Sequence, residues 1–165
     1  MKTKKFLPFK RKAQGKTNYR KRLELLKSGK VRIVVRKSLK NIIVQGIVYE
    51  PDGDKTLFSV TSNELKKYGW KGNGRNTPAG YLVGYLFGMK AREKKVEEGI
   101  LDQGLYPTRQ GTIIFGVLKG LIESGMKIPH DPVIFPAQDR IQGKHISEDR
   151  SKQFDQVKAS IQKVK

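Results

Sequence analysis

Residues 31–49 read VRIVVRKSLKNIIVQGIVY, and this stretch decides the fold. Val31, Ile33 and Val35 alternate with Arg32, Val34 and Arg36. On the far side of a short polar break, Ile42, Val44, Gly46 and Val48 alternate with Ile43, Gln45, Ile47 and Tyr49. Period-two alternation rich in β-branched side chains predicts two half-buried strands paired antiparallel. The second strand has one wholly apolar face and one mixed face. The connecting tip, Arg36-Lys37-Ser38-Leu39-Lys40-Asn41, holds three cations and two hydroxyl or amide groups, and no acid. On a stiff hairpin such a tip suits phosphates and base edges. The plain alternative is a solvated turn.

Working outward, Pro51-Asp52-Gly53-Asp54 is a turn, because proline presets φ and glycine accepts φ > 0. Thr56–Thr61 then gives a third strand with Phe58 and Val60 on one face, which makes an antiparallel meander. Upstream, Thr17–Ser28 reads as a helix with Thr17 as N-cap and Gly29 as the stop. Tyr19, Leu23 and Leu26 form its apolar stripe, with Arg20, Lys21 and Lys27 away from it; Tyr19 suits the core, or a stack on a base. Residues 1–16 carry cations and no acids, lack periodicity and are punctuated by Pro8 and Gly15. They read as an extended basic arm, disordered when free and ordered on a polyanion, or else as a solubilising tail.

Downstream, residues 66–77 form a glycine-rich basic loop in which Trp70 neighbours Lys71 and Arg75. That interleaving suits RNA, although Tyr68 and Trp70 can equally pin the loop to the core. Thr77 as N-cap and Pro78 at the first helical position open a helix with Leu82, Val83, Leu86 and Phe87 on its apolar face. Gly80, Gly84 and Gly88 recur every four residues and predict close packing on the sheet. A strand over Val96–Asp102 and a helix over Thr112–Ser124, stopped by Gly125, follow. Residues 128–146, with three prolines, read as an irregular loop. Ser147–Lys165 returns to helix, with Phe154, Val157, Ile161 and Val164 as a stripe that needs a partner surface. The expected architecture is α/β: an antiparallel meander followed by helix–strand–helix, helices packed on the sheet. It divides into an arm (1–16), a domain (17–146) and a C-terminal helix (147–165).

The formal net charge is +20 over 165 residues. Twenty excess cations on one domain repel one another and are best relieved by a polyanion, of which nucleic acid is the favoured kind. Cysteine is absent and histidine limited to His130 and His145, which argues against thiolate or imidazole metal sites. No cofactor is expected. No signal peptide or membrane span is legible, so a cytoplasmic location is expected and no membrane partner. Asp52, Asp54, Asp102, Asp131 and Asp139 show no spacing diagnostic of a metal-dependent nuclease; turn and cap roles suit them better. No catalytic residue is identified. A general DNA-compacting protein is the alternative that charge alone allows.

Several runs together resemble a known family. They are Thr17-Asn18-Tyr19-Arg20-Lys21-Arg22-Leu23, Leu25-Leu26-Lys27-Ser28-Gly29, Arg32 with Arg36-Lys37-Ser38, Tyr68-Gly69-Trp70, Leu101-Asp102-Gln103-Gly104-Leu105, and Ile128-Pro129-His130 with Gly143-Lys144-His145-Ile146. In this order they closely resemble the archaeal form of large-subunit ribosomal protein eighteen. The resemblance implies a single α/β domain, often described as ribonuclease-H-like, used without catalysis. It implies attachment of 5S rRNA to the central protuberance of the ribosome, beside 23S rRNA and neighbouring large-subunit proteins. It carries RNA contact onto Lys10, Arg11, Lys12, Lys16, Tyr19, Arg20, Arg22, Arg32, Arg36, Lys37, Ser38, Lys40 and Asn41. Lys71 and Arg75 of the glycine-rich loop join them as candidates from the residues themselves. Leu39 and Asn41 depart from the asparagine and histidine common in the tips of relatives.

Overall fold

The computed structural model describes residues 7–163. In chain order it contains α1 (Lys10–Ala13), α2 (Tyr19–Lys27), β1 (Arg32–Lys37), β2 (Ile42–Val48), β3 (Lys55–Thr61), a 3-10 helix (Ser62–Tyr68) and α3 (Thr77–Glu93). Then come β4 (Ile100–Asp102), α4 (Ile113–Glu123), a second 3-10 turn (Pro132–Ile134), α5 (Gln138–Gln142) and α6 (Glu148–Gln162). The four strands lie in the order β3-β2-β1-β4. β1, β2 and β3 pair antiparallel as the alternation predicts. β4 departs from the meander: it joins the far edge parallel to β1. A strand that returns to the same sheet in parallel needs a long crossover, and α3 supplies it.

Register sorts the side chains into two faces. Ile33 sits opposite Gly46 and Val35 opposite Val44; Val44 in turn faces Val60, and Gly46 faces Phe58. This is the covered face, and Ile33, Val35, Ile42, Val44 and Val60 are all buried on it. Gly46 is there to make room. A Cβ on it would meet the Phe87 ring at 3.3 Å and the Phe58 ring at 3.4 Å, and those rings stack with centroids 4.5 Å apart. A bulge after Gly46 shifts the pairing from Gly46–Phe58 to Ile47–Thr56.

α3 is buried on nearly every side, as a helix must be when it is apolar all round. The sheet lies on one side of it and α4 and α6 on others. The glycine row faces α4 rather than the sheet, which corrects the expectation. A Cβ on Gly84 would stand 2.1 Å from the Val117 carbonyl oxygen, and one on Gly120 would stand 2.1 Å from that of Tyr81. The two backbones therefore touch, and only glycine on both helices permits it. The sheet is met instead by larger side chains such as Phe87.

α6 finds its partner within this chain: Phe154, Val157 and Ile161 are buried, and the Phe154 ring lies 5.2 Å from that of Tyr81. Val164, the last residue of the expected stripe, lies outside the described residues. Residues 138–142 form a helix where a loop was expected, tucking Ile141 into the core. Both threonine N-caps move by one residue. Asn18 Oδ1 accepts from the Lys21 N–H at 3.1 Å, and Asn76 Oδ1 accepts from the Ala79 N–H at 2.9 Å; asparagine outranks threonine as a cap. Leu23, placed on the core stripe of α2, is 57% exposed. Residues 10–13 make a helical turn with no buried residue, not extended chain; residues 1–6 of the expected arm lie outside the described residues.

Candidate nucleic-acid interface

The second face of the sheet carries Arg32, Val34 and Arg36 from β1, Gln45 and Ile47 from β2, and Asp102 from β4. α2 lies across it. Lys21, Arg22 and Leu25 line one side of a cleft of about 240 Å³, and Arg32, Val34 and Ile47 line the other. Arg11, Lys16, Arg36, Leu105 and Tyr106 line the same cleft. Segments distant in sequence therefore bring basic side chains to one place. Val34 and Ile47, both buried, put an apolar strip in the same cleft, with Leu25 of α2 beside it.

Beneath the cleft is a buried ionic cluster. Arg32 is only 3% exposed. Its Nη2 lies 2.7 Å from Asp54 Oδ2, and its Nη1 donates to Asp102 Oδ2 at 3.1 Å. Arg22 Nη2 donates to the other Asp54 oxygen at 2.9 Å, and the Gly104 N–H donates to Asp102 Oδ1 at 2.9 Å. Burial works to raise the Asp54 carboxyl, but Arg32 and Arg22 outweigh it and hold the group below the usual carboxylate range. The cluster ties α2, β1, β4 and the β2–β3 turn together. Arg32, expected to contact RNA, is thus almost fully buried and engaged by two carboxylates in this packing. Arg22 is shared, with one arm on Asp54 and its side chain part exposed. The two acids were expected in turn roles; Asp102 keeps one through the Gly104 N–H and adds the Arg32 pair, and Asp131 holds one by accepting from the Val133 N–H.

Hydrogen bonds tie the hairpin tip together. The Ser38 N–H donates to the Asn41 carbonyl at 2.8 Å. The Ser38 hydroxyl donates to the same carbonyl at 3.1 Å and accepts from the Asn41 N–H at 3.0 Å. Asn41 Oδ1 accepts from the buried Ser62 hydroxyl at 3.1 Å. The polar atoms of Ser38 and Asn41 are therefore largely spent on building the turn. Tyr106, which sequence reasoning missed, braces its base: the Tyr106 hydroxyl donates to the Lys37 carbonyl at 3.1 Å, and the Lys37 ammonium lies 4.4 Å from the ring centroid. Arg75 Nη1 donates to the Leu39 carbonyl at 3.4 Å, which brings the glycine-rich loop to the tip. Trp70 is a core residue, 2% exposed, with Nε1 donating to the Asn73 carbonyl.

The remaining candidates fall into three places. Lys10, Arg11, Lys12, Lys16 and Arg20 are exposed around α1 and α2. Tyr19 is half-buried, its ring 5.0 Å from that of Phe9, and Lys12 and Arg20 share its depression. Lys71 stands apart, in a groove with Arg150 and Lys152 of α6. Among the described residues, Lys10, Arg11, Lys12, Lys16, Arg20, Lys21, Arg36, Lys37, Lys40, Lys71 and Arg75 form no ion pair with a carboxylate. Among the same residues, no cluster of three or more acids and histidines could hold a metal, and no helix is long and apolar enough to cross a membrane.

The comparisons with known proteins agree with one another. A protein of Korarchaeum cryptofilum described as "Large ribosomal subunit protein uL18" is 48% identical over 139 residues, which cover 84% of this chain and 71% of that protein. Residues 4–98, the span holding α1, α2, the hairpin, β3 and α3, match the family described as ribosomal large subunit proteins 60S L5 and 50S L18. The chain belongs to this family of large-subunit ribosomal proteins.

Proposed function

We propose that this protein is a non-catalytic constituent of the large ribosomal subunit that binds 5S rRNA and helps attach it to the central protuberance, with 23S rRNA and large-subunit proteins as neighbours. One observation carries the reading: the cations of α1, of α2 other than Arg22, and of the hairpin tip are exposed or half-buried and without acid partners among the described residues, whereas Arg22 and Arg32 beside them are paired with acids. A surface of uncompensated cations around a hydrogen-bonded tip suits a polyanion of defined shape. The proposed contacts are Lys10, Arg11, Lys12, Lys16, Tyr19, Arg20, Lys21, Arg36, Lys37, Lys40 and Arg75, with Arg22 through its exposed part. Ser38 and Asn41 shape the tip.

The test is gel-shift titration of wild type and Arg36→Ala/Lys40→Ala on a 5S rRNA transcript, an unrelated RNA and duplex DNA of equal length, over a salt series. Wild type should prefer 5S rRNA. The double variant should lose most of that preference, with the slope of log K against log[salt] flatter by about 0.7 to 0.9 for each phosphate no longer neutralised. Equal affinity for all three nucleic acids would replace the proposal by general compaction.

A further inference from the structure

Leu39 sits at the end of the hairpin with 87% of its surface in water. A lone exposed leucine is ordinary on a mobile loop. This one sits on a hydrogen-bonded turn. The Ser38–Asn41 bonds close the turn on either side of it, and Arg75 holds its carbonyl. The glycine-rich loop is pressed against the next residue: a Cβ on Gly74 would stand 3.0 Å from the Lys40 carbonyl oxygen. An apolar side chain thus stands outward, between the exposed cations Arg36, Lys40 and Arg75 and with no acid in residues 36–41.

A partner must suit both chemistries. An apolar protein patch would take water from the cations and return no charge. RNA meets both needs, since its phosphates pair with the cations while an unstacked base offers an apolar face. Aliphatic side chains are known to wedge against base steps in this manner. We propose that Leu39 packs on the face of an unstacked base of the bound RNA, in a loop, a bulge or at a helix end, and so supplies selectivity without charge. The inference rests on the RNA-binding reading above.

The experiment uses the full chain as wild type, Leu39→Ser and Leu39→Phe. Each is titrated against a 5S rRNA transcript and a fully paired RNA hairpin of equal length, at several salt concentrations. Leu39 does not touch the core, so the variants should fold. Leu39→Ser should weaken binding to 5S rRNA roughly ten- to a hundredfold, the range that burial of one leucine allows. The salt slope should not change, because no charge is removed. The paired hairpin, which leaves few base faces uncovered, should bind all three proteins alike, and Leu39→Phe should keep the 5S affinity. If Leu39→Ser matches a wild type that prefers 5S rRNA, the inference falls and the RNA-binding reading stands. Equal losses on both RNAs would also overturn it. If wild type shows no preference for 5S rRNA, both readings fall together.

Discussion

Replacing Arg32 by Met separates a structural cation from an RNA-contacting one. The guanidinium is almost fully buried between Asp54 and Asp102, at 2.7 and 3.1 Å, and its Nε has no partner among the described residues. Methionine keeps the length and removes the charge, leaving two part-buried carboxylates. Removing one member of a buried ion pair costs about 3–5 kcal/mol. Asp54 keeps Arg22 at 2.9 Å and Asp102 keeps the Gly104 N–H at 2.9 Å, so the loss should lie near the low end, about 3 kcal/mol at pH 7. Urea titration followed by the fluorescence of Trp70, the single tryptophan, reads it directly.

The pH dependence has a definite sign. Asp54 is held below its ordinary range in the folded protein. Its contribution is complete above the unfolded value of about 3.9 and is lost as pH falls through the folded value. In acid the wild type loses that contribution while protonation neutralises the orphaned carboxylates of the variant, so the gap between them should narrow. Adding Asp54→Asn and Asp102→Asn to Arg32→Met should restore much of the stability at pH 7, because the cost lies in the uncompensated charges. The RNA salt slope of Arg32→Met should equal that of wild type at temperatures where it is folded. A stability loss under about 1 kcal/mol at pH 7, well below the cost of breaking a buried pair, or a slope flattened by about 0.7 to 0.9, would refute the structural role.

Two further outcomes are expected. Deleting residues 1–16, which carry seven cations and no acid, should leave the fold intact, since α1 buries nothing. It should flatten the salt slope by about 0.7 to 0.9 for every phosphate this segment neutralises; an unchanged slope would show that it neutralises none. Gly84→Ala should force α3 and α4 apart, because its Cβ would stand 2.1 Å from the Val117 carbonyl oxygen. The overpacking should cost about 1–3 kcal/mol, seen as a lower Tm by circular dichroism, and an unchanged Tm would contradict the close approach.

The sequence by itself determined the three antiparallel strands and the longer helices, because alternation, caps and glycine stops act over a few residues; the short helices 10–13 and 138–142 escaped it. It put Ile33 and Val35 on one face of their strand and Phe58 and Val60 on one face of theirs; pairing in the sheet then placed both on the same covered side. Its net charge pointed to a polyanion, and its ordered motifs to a ribosomal family, before any coordinates. What it could not tell was what lies opposite each face. Period-two alternation puts Arg32 and Arg36 on the same side of β1 and treats them alike. Only the packing of α2 over that side, with Asp54 and Asp102 arriving from 22 and 70 residues away in sequence, buries one and leaves the other free. The glycine row of α3 announces a close approach but not its partner, since a missing Cβ serves a sheet or a helix equally. Ser38 and Asn41 look like ligand groups when side chains alone are considered; in the fold the Ser38 hydroxyl bonds the Asn41 backbone and Asn41 Oδ1 accepts from Ser62. Tertiary structure therefore decided which of many cations remain available, since pairing and burial depend on neighbours in space.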